Sequence, residues 1–66
     1  MTITVNGQTT EIAGPLNLAQ LIAQYELTPN RVAIEVNREL VRRAEYPDKT
    51  IADGDTIEIV TLVGGG

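Results

Sequence analysis

The stretch that decides the fold is residues 2–12, TITVNGQTTEI. Ile3 and Val5 alternate with threonines up to Asn6-Gly7, and further β-branched residues follow this pair. Asn-Gly favours a type I′ turn, because both central residues of that turn need positive φ, and its twist matches that of paired antiparallel strands. The stretch therefore predicts a β-hairpin, which Gly14-Pro15 ends.

One amphipathic helix is predicted after the hairpin. Asn17, with Gln20 three residues later, forms a capping-box pattern at its start. We expect the helix over residues 18–26, with its apolar side packed on a sheet. Four residues with the spacing i, i+3, i+4 and i+7 are expected on that side: Leu18, Leu21, Ile22 and Tyr25.

The remainder of the chain predicts three more strands. Residues 32–36 alternate apolar and polar side chains, a short strand follows around Leu40-Val41, and residues 56–63 form the last strand. A loop with a helical turn near Tyr46-Pro47 is expected before the last strand. The order β, β, α, β, short β, β indicates an α+β fold, in which a mixed sheet of four or five strands carries one helix across one face. The first and last strands are expected side by side in its middle.

The composition removes most catalytic chemistry. The 66 residues include no Cys, no His and no Ser. Without Cys and His, the usual zinc sites, thiolate and imidazole nucleophiles and a general base near neutral pH are excluded. We therefore expect a protein that is not an enzyme, with no catalytic residues, no metal site and no cofactor bound by the chain itself.

The charge and hydropathy patterns limit the partners. Five Lys and Arg against nine Asp and Glu give a net charge of −4, which disfavours binding to phosphate backbones. No apolar run reaches the roughly 18 residues of a membrane span, and residues 2–5 alternate instead of forming a leader pattern. We expect a cytoplasmic protein with neither nucleic-acid nor membrane partners.

Three glycines, Gly64, Gly65 and Gly66, follow the last predicted strand. Glycine loses more conformational entropy on ordering than any other residue, so residues 64–66 are expected as a flexible tail on a domain of residues 1–63. Residues without Cβ atoms can be threaded through a channel too narrow for side chains. A terminal carboxylate is ionised at neutral pH and can attack the α-phosphate of ATP to give a mixed anhydride. This pattern favours a functional tail over a frayed end.

Several segments together resemble the ThiS family of sulfur carriers over the whole chain. They are Asn6-Gly7, the amphipathic helix, residues 32–37 with Val41 and Arg42, residues 53–60 and Gly65-Gly66. The diglycine alone is shared by all ubiquitin-like carriers, whereas residues 35–37 and the Asp-Gly-Asp turn at 53–55 favour this family. Gly64 departs from the family pattern by lengthening the tail.

The resemblance implies a ubiquitin-like β-grasp fold and a defined role for the tail. Gly66 would be adenylated with ATP by an E1-like (ThiF-type) adenylyltransferase and converted to a thiocarboxylate. A sulfur donor such as a cysteine desulfurase would supply the sulfur. The thiocarboxylate would then donate it to a thiazole synthase (ThiG-type) for the thiazole ring of thiamine, while Gly64 and Gly65 lie in the partner active sites.

Three other functions remain open at this point. The small subunit of molybdopterin synthase shares the fold and the glycine tail but is usually longer. A ubiquitin-like protein modifier would form isopeptide bonds with lysines instead. A purely structural interaction domain would make no use of the last two glycines.

The last strand also suggests where partners dock. If Ile57 and Ile59 face the helix, then Glu58, Val60 and Leu62 face the opposite side, which a single helix cannot cover. An apolar patch on an open sheet face next to a reactive end is a candidate docking surface. We therefore predict that Glu58, Val60 and Leu62 contact the partner enzymes.

Overall fold

The computed structural model describes residues 1–62. Five strands form one sheet, and one α-helix packs against it. Two 3-10 segments, Pro29–Arg31 and Arg43–Asp48, lie in the connections. The elements in chain order are β1 (Thr2–Val5), β2 (Gln8–Glu11), α1 (Leu18–Gln24), β3 (Val32–Val36), β4 (Glu39–Val41) and β5 (Thr56–Thr61).

The sheet has the strand order β2-β1-β5-β3-β4. The pair β1–β5 is parallel, and the pairs β1–β2, β3–β5 and β3–β4 are antiparallel. The predicted α+β architecture, with a mixed sheet and the first and last strands adjacent in its middle, is therefore confirmed. The helical turn expected near Tyr46-Pro47 is also present.

Both hairpins close with two-residue turns. Asn6 and Gly7 have φ of 50° and 82°, as a type I′ turn requires. The second turn uses Asn37 and Arg38, whose φ values of 52° and 71° are also positive. Gly7 adopts this geometry without steric cost, whereas Arg38 holds a conformation that L side chains rarely adopt. The predicted first hairpin is thus confirmed, and the same turn chemistry recurs between β3 and β4.

The hydrophobic core lies between α1 and one face of the sheet. Alternation on the strands supplies most of it, since Ile34 and Val36 on β3 and Ile57 and Ile59 on β5 are buried. The buried apolar residues are Ile3, Val5, Ile12, Leu18, Leu21, Ile22, Val32, Ile34, Val36, Val41, Tyr46, Ile51, Ile57 and Ile59.

The start of α1 follows the prediction. The Gln20 backbone N–H donates to Asn17 Oδ1 at 2.8 Å, and the Asn17 backbone N–H donates to Gln20 Oε1 at 2.9 Å. This capping box satisfies two donors that would otherwise lack partners.

The end of α1 differs from the prediction. The helix ends at Gln24, and Tyr25, expected on the buried side, is 43% exposed. Glu26 adopts a φ of 60°, so Leu27 turns back, donates its N–H to the Ile22 carbonyl at 2.9 Å and packs against the core. Together with the Glu26 N–H bonded to the Ala23 carbonyl, this is a Schellman motif. Tyr25 was wrongly placed because Glu, rather than Gly, occupies the left-handed position.

Tyr46 gives the fold a dependence on alkaline pH. Burial raises the pKa of Tyr46 above its usual value of 10, while the Arg43 guanidinium and a backbone hydrogen bond with Ile34 act in the opposite direction. The folded state therefore keeps the phenol proton at a pH where the unfolded chain has lost it. Stability present below pH 10 is lost as the pH rises towards the folded-state pKa.

We expect the free energy of unfolding to fall as the pH increases above about 10, because of this difference in proton binding. Tyr46→Phe should flatten that fall in urea titrations at several pH values. Tyr25→Phe is the matched control, since Tyr25 lies outside the core with 43% of its surface exposed, and the variant should keep the wild-type slope. Equal slopes for wild type and Tyr46→Phe would contradict the assignment.

Candidate functional site

The strand that leads to the glycine tail lies in the middle of the sheet. β5 pairs with β1 through Thr4↔Thr56 and Val5↔Ile57. On its other side it pairs with β3 over five residues, from Val32↔Thr61 to Val36↔Ile57. Ile57 is fully buried and Ile59 is 8% exposed, so the core fixes the register of the strand that precedes the tail.

Asn6 extends the pairing of β5 beyond the end of β1. The Ile59 N–H donates to Asn6 Oδ1 at 2.7 Å, and Asn6 Nδ2 donates to the Ile59 carbonyl at 3.1 Å. The side-chain amide therefore takes the place of a strand backbone. Sequence reasoning assigned Asn6 to the turn alone, because a contact over 53 residues leaves no local signal.

Asn37 and Asp55 fix the beginning of β5. Asn37 Oδ1 accepts from the Thr56 N–H at 3.0 Å, and Asn37 Nδ2 donates to Asp55 Oδ1 at 3.0 Å. Asp55 Oδ2 accepts from the Ala52 N–H at 2.8 Å, and Asp53 Oδ1 accepts from the Thr2 N–H at 2.8 Å. These acidic side chains hold backbone in place, and no cluster of metal-binding residue types was found within residues 1–62.

The sheet face opposite α1 carries the predicted docking residues. Val60 is 58% exposed, Leu62 is 42% exposed and Glu58 is exposed, so their predicted outward orientation is confirmed. Val60 pairs with Ala33, and Glu58 pairs with Glu35. The register brings Glu58 and Val60 together beside β3, and the Leu62 N–H continues the ladder by donating to the Arg31 carbonyl at 2.7 Å. Their role in docking stays a prediction.

Sequence reasoning missed Leu40, which is 70% exposed on β4. Leu40 pairs with Glu35, which also pairs with Glu58, so Leu40 lies on the same sheet face. The two-residue turn at Asn37-Arg38 sets this register. We call Leu40, Val60 and Leu62, with the smaller Ala33 between β4 and β5, the open-face patch.

The reactive end itself lies beyond the described part of the chain. Gly64, Gly65 and Gly66, predicted as the tail, and Val63, predicted as the end of the last strand, all fall outside residues 1–62. Within the described part, no helix has the length and apolar character needed to cross a membrane.

Comparison with known proteins assigns the chain to a family. Residues 3–66 match the model of the ThiS family. The chain belongs to the ThiS family. The ThiS family sulfur carriers act in thiamine biosynthesis, so the predicted family and role are confirmed at this level.

Individual ThiS family relatives agree with this assignment. The sulfur carrier protein ThiS of Bacillus subtilis is 39% identical over 49 residues, covering 74% of each chain. The crystal structure of the thiamine biosynthesis protein ThiS from Geobacter metallireducens superposes with a TM-score of 0.85 at 32% identity, covering all of both chains. This likeness confirms the ubiquitin-like β-grasp fold.

This chain is also similar to a part of a thiazole synthase. The thiazole synthase of Paramagnetospirillum magneticum is 30% identical over 66 residues. The match covers 100% of this chain but only 20% of that protein. A segment similar to a sulfur carrier is therefore part of a much longer polypeptide in that organism.

Proposed function

We propose that the carboxyl group of Gly66 carries sulfur for the thiazole ring of thiamine. A carboxylate oxygen of Gly66 attacks the α-phosphorus of ATP in an E1-like adenylyltransferase, and pyrophosphate leaves. A sulfide equivalent, released when a thiol reduces the persulfide of a donor such as a cysteine desulfurase, then attacks the acyl carbon and displaces AMP. The product is a thiocarboxylate, which a thiazole synthase uses as its sulfur source.

The observation that carries this proposal is the extent of the family match, which runs from residue 3 through Gly66. The two glycines before Gly66 offer no side chain that would obstruct a narrow active site. The absence of Cys from the sequence is compatible with the proposal, because sulfur held on a terminal carboxyl group needs no thiol. Activation chemistry then belongs to the partner enzymes.

A thiazole synthase is the proposed acceptor. A polypeptide that contains both a carrier-like segment and a thiazole synthase holds the two at a high effective concentration. Such an arrangement is useful where one part delivers a group to the other. The same pairing between separate chains is therefore our proposal for this protein.

Intact mass spectrometry tests the proposed chemistry. The protein is incubated with a purified ThiF-type adenylyltransferase, ATP and sulfide, and its mass should increase by the difference between one sulfur and one oxygen atom. Omitting ATP should leave the mass unchanged. A mass that stays constant in the complete mixture, with an adenylyltransferase active on its own carrier, would contradict the proposal.

The acceptor distinguishes the related carrier functions. The thiocarboxylate form should support thiazole formation by a thiazole synthase. It should not support dithiolene formation by a molybdopterin synthase large subunit, and the chain should form no isopeptide bonds with lysines. Dithiolene formation in place of thiazole formation would assign the chain to the molybdopterin synthase small subunits, and isopeptide bonds with lysines would assign it to the protein modifiers.

The open-face patch is the proposed docking surface for these enzymes. Two of its exposed apolar side chains, Val60 on β5 and Leu62 directly after it, belong to the part of the chain that leads to the tail, so a partner bound there contacts the residues that precede the glycines. Glu35 and Glu58 face each other across β3 and β5, and like charges directly opposite are unfavourable in the free protein. A cationic side chain of the partner between them would relieve this repulsion.

Charge introduced into the patch should weaken partner binding. Val60→Asp or Leu62→Asp is expected to lower the affinity for the adenylyltransferase or the thiazole synthase at least about tenfold, because interface cores tolerate charge poorly. Glu58→Ala should have a smaller effect, mainly on the association rate. Isothermal titration calorimetry measures the affinity, and circular dichroism checks the fold.

Gln24→Glu is the matched control for these variants. It adds the same single negative charge at an exposed position on α1, on the other side of the sheet. Its affinity should equal that of the wild type. Folded Val60→Asp and Leu62→Asp proteins with wild-type affinity would remove the patch from the proposed interface.

A further inference from the structure

The backbone groups of β5 alternate between its two neighbours. The backbone N–H and carbonyl groups of even-numbered residues point towards β3: the Thr56 carbonyl accepts from the Asn37 N–H at 2.7 Å, and the Leu62 N–H donates to the Arg31 carbonyl. The backbone groups of odd-numbered residues point towards β1. The carbonyls of Asp55 and Ile57 accept from the N–H groups of Thr4 and Asn6, each at 2.9 Å. Thr61, as an odd residue, therefore presents its N–H and carbonyl on the β1 side.

No strand lies beside Thr61 on that side. The pairing of β1 with β5 ends at Val5↔Ile57, and the Asn6 side chain satisfies only Ile59. The Val32↔Thr61 pair is a non-hydrogen-bonded pair of the antiparallel ladder, so β3 bonds neither the N–H nor the carbonyl of Thr61, and Thr61 is exposed. β5 therefore extends beyond the end of β1, and within residues 1–62 its last residues have no neighbouring strand on that side. We call this place beside Thr61 the step.

This step differs from the two outer edges of the sheet. β2 is short and carries polar or charged residues throughout, and β4 is only three residues long with Glu39 at its start. Short, charged edge strands discourage pairing with another chain. At the step, by contrast, the free groups belong to the central strand, Asn6 already supplies amide geometry beside Ile59, and the tail follows directly.

We propose that an extended segment of a partner enzyme adds to β5 at this step, pairing its backbone with Thr61. The inference rests on the proposed function, and it specifies how the tail is held before it enters an active site. Strand addition gives affinity through main-chain hydrogen bonds and aligns the added chain with the strand it joins. Here it would direct residues after Leu62 along one path.

The two faces of the step define the segment it accepts. On the open face, the added strand lies beside Val60 and Leu62, which are apolar and exposed. On the α1 side, it lies beside the exposed Thr61 side chain. The occupant is therefore a strand with apolar residues on one face and polar residues on the other. Its apolar face continues the open-face patch.

Hydrogen exchange of the Thr61 amide tests this directly. In the free carrier, the Thr61 N–H should exchange rapidly with solvent, whereas the Val60 and Leu62 amides, which face β3, should be protected. Adding a purified ThiF-type adenylyltransferase or ThiG-type thiazole synthase should protect Thr61 as well. Rapid exchange of Thr61 in a saturated complex with both enzymes would overturn the proposal. Protection in the carrier alone that rises with concentration would indicate pairing between two carriers and would also overturn it.

Thr61→Pro removes the free N–H without removing a ladder bond to β3, and proline is tolerated where the N–H faces solvent. Loss of one hydrogen bond should weaken partner binding about three- to tenfold. Thr61→Val keeps the N–H and should bind as the wild type does. If Thr61→Pro does not fold, an ester in place of the Val60–Thr61 amide, made by chemical synthesis, removes the same donor with little change in shape. Wild-type affinity of a folded variant would overturn the proposal.

The test of strand addition is separate from the test of the proposed carrier function. If the wild-type protein gains sulfur and the folded Thr61→Pro variant binds the partner as tightly as the wild type, the carrier function is retained and strand addition is excluded. Wild-type carrier that never gains sulfur contradicts the carrier function itself.

Discussion

Removal of Gly65 and Gly66 is expected to abolish thiocarboxylate formation and to leave the thermal midpoint of unfolding unchanged. An extended residue spans about 3.3–3.6 Å, so the deletion withdraws the carboxyl group by about 7 Å from its proposed position in the adenylyltransferase. Misplacement by far less than this costs reactions most of their rate. The buried residues found in the described structure all lie at or before Ile59, so the core described there is built without the two glycines. Intact mass spectrometry and calorimetric melting measure the two effects.

A carrier with a carboxamide at Gly66 is the sharper control for the same prediction. The amide keeps the length and shape of the tail but replaces the carboxylate oxygen that must attack ATP. It should bind the adenylyltransferase with nearly wild-type affinity and should not gain sulfur. Sulfur on the amidated protein would show that another group carries it. A melting point that falls by many degrees after the deletion would show that the tail supports the fold.

Local chemistry explains why so much of the fold was predictable. The Asn6-Gly7 turn requires positive φ at two adjacent residues, and few other pairs satisfy this requirement as readily. The capping box of Asn17 and Gln20 involves atoms only three residues apart. Alternation on β3 and β5 fixes which side chains face the helix, and this correctly predicted that Val60 and Leu62 point outwards.

The features that were missed depend on unusual backbone conformations or on distant contacts. Glu26 ends α1 in the left-handed region although its side chain disfavours it, which moves Leu27 into the core and Tyr25 out of it. Arg38 adopts a similar conformation, and the register it sets places Leu40 on the open face. Propensity rules assign neither residue to such a position.

The candidate site combines both kinds of information. The sequence reveals the glycines and the apolar residues before them, because composition and alternation are visible in one dimension. The step at Thr61 is not visible there, because it arises from the difference in length between β1 and β5 and from the amide of Asn6, which lies 53 residues from Ile59. Only the sheet order brings these parts together.

Leu21→Ala should destabilise the domain by about 2 to 5 kcal/mol, because Leu21 has no exposed surface and its truncation leaves a cavity beneath α1. A chain of 66 residues, at about 0.05–0.15 kcal/mol per residue, is stabilised by only about 3 to 10 kcal/mol. The variant is therefore expected to be largely unfolded at moderate urea concentrations. Tyr25→Ala is the informative comparison, since truncating a side chain that lies outside the core, beyond the helix end, should cost less than about 1 kcal/mol. Urea titrations followed by circular dichroism measure both values. Equal losses of unfolding free energy in the two variants would show that Tyr25 belongs to the core, and would contradict the helix end at Gln24.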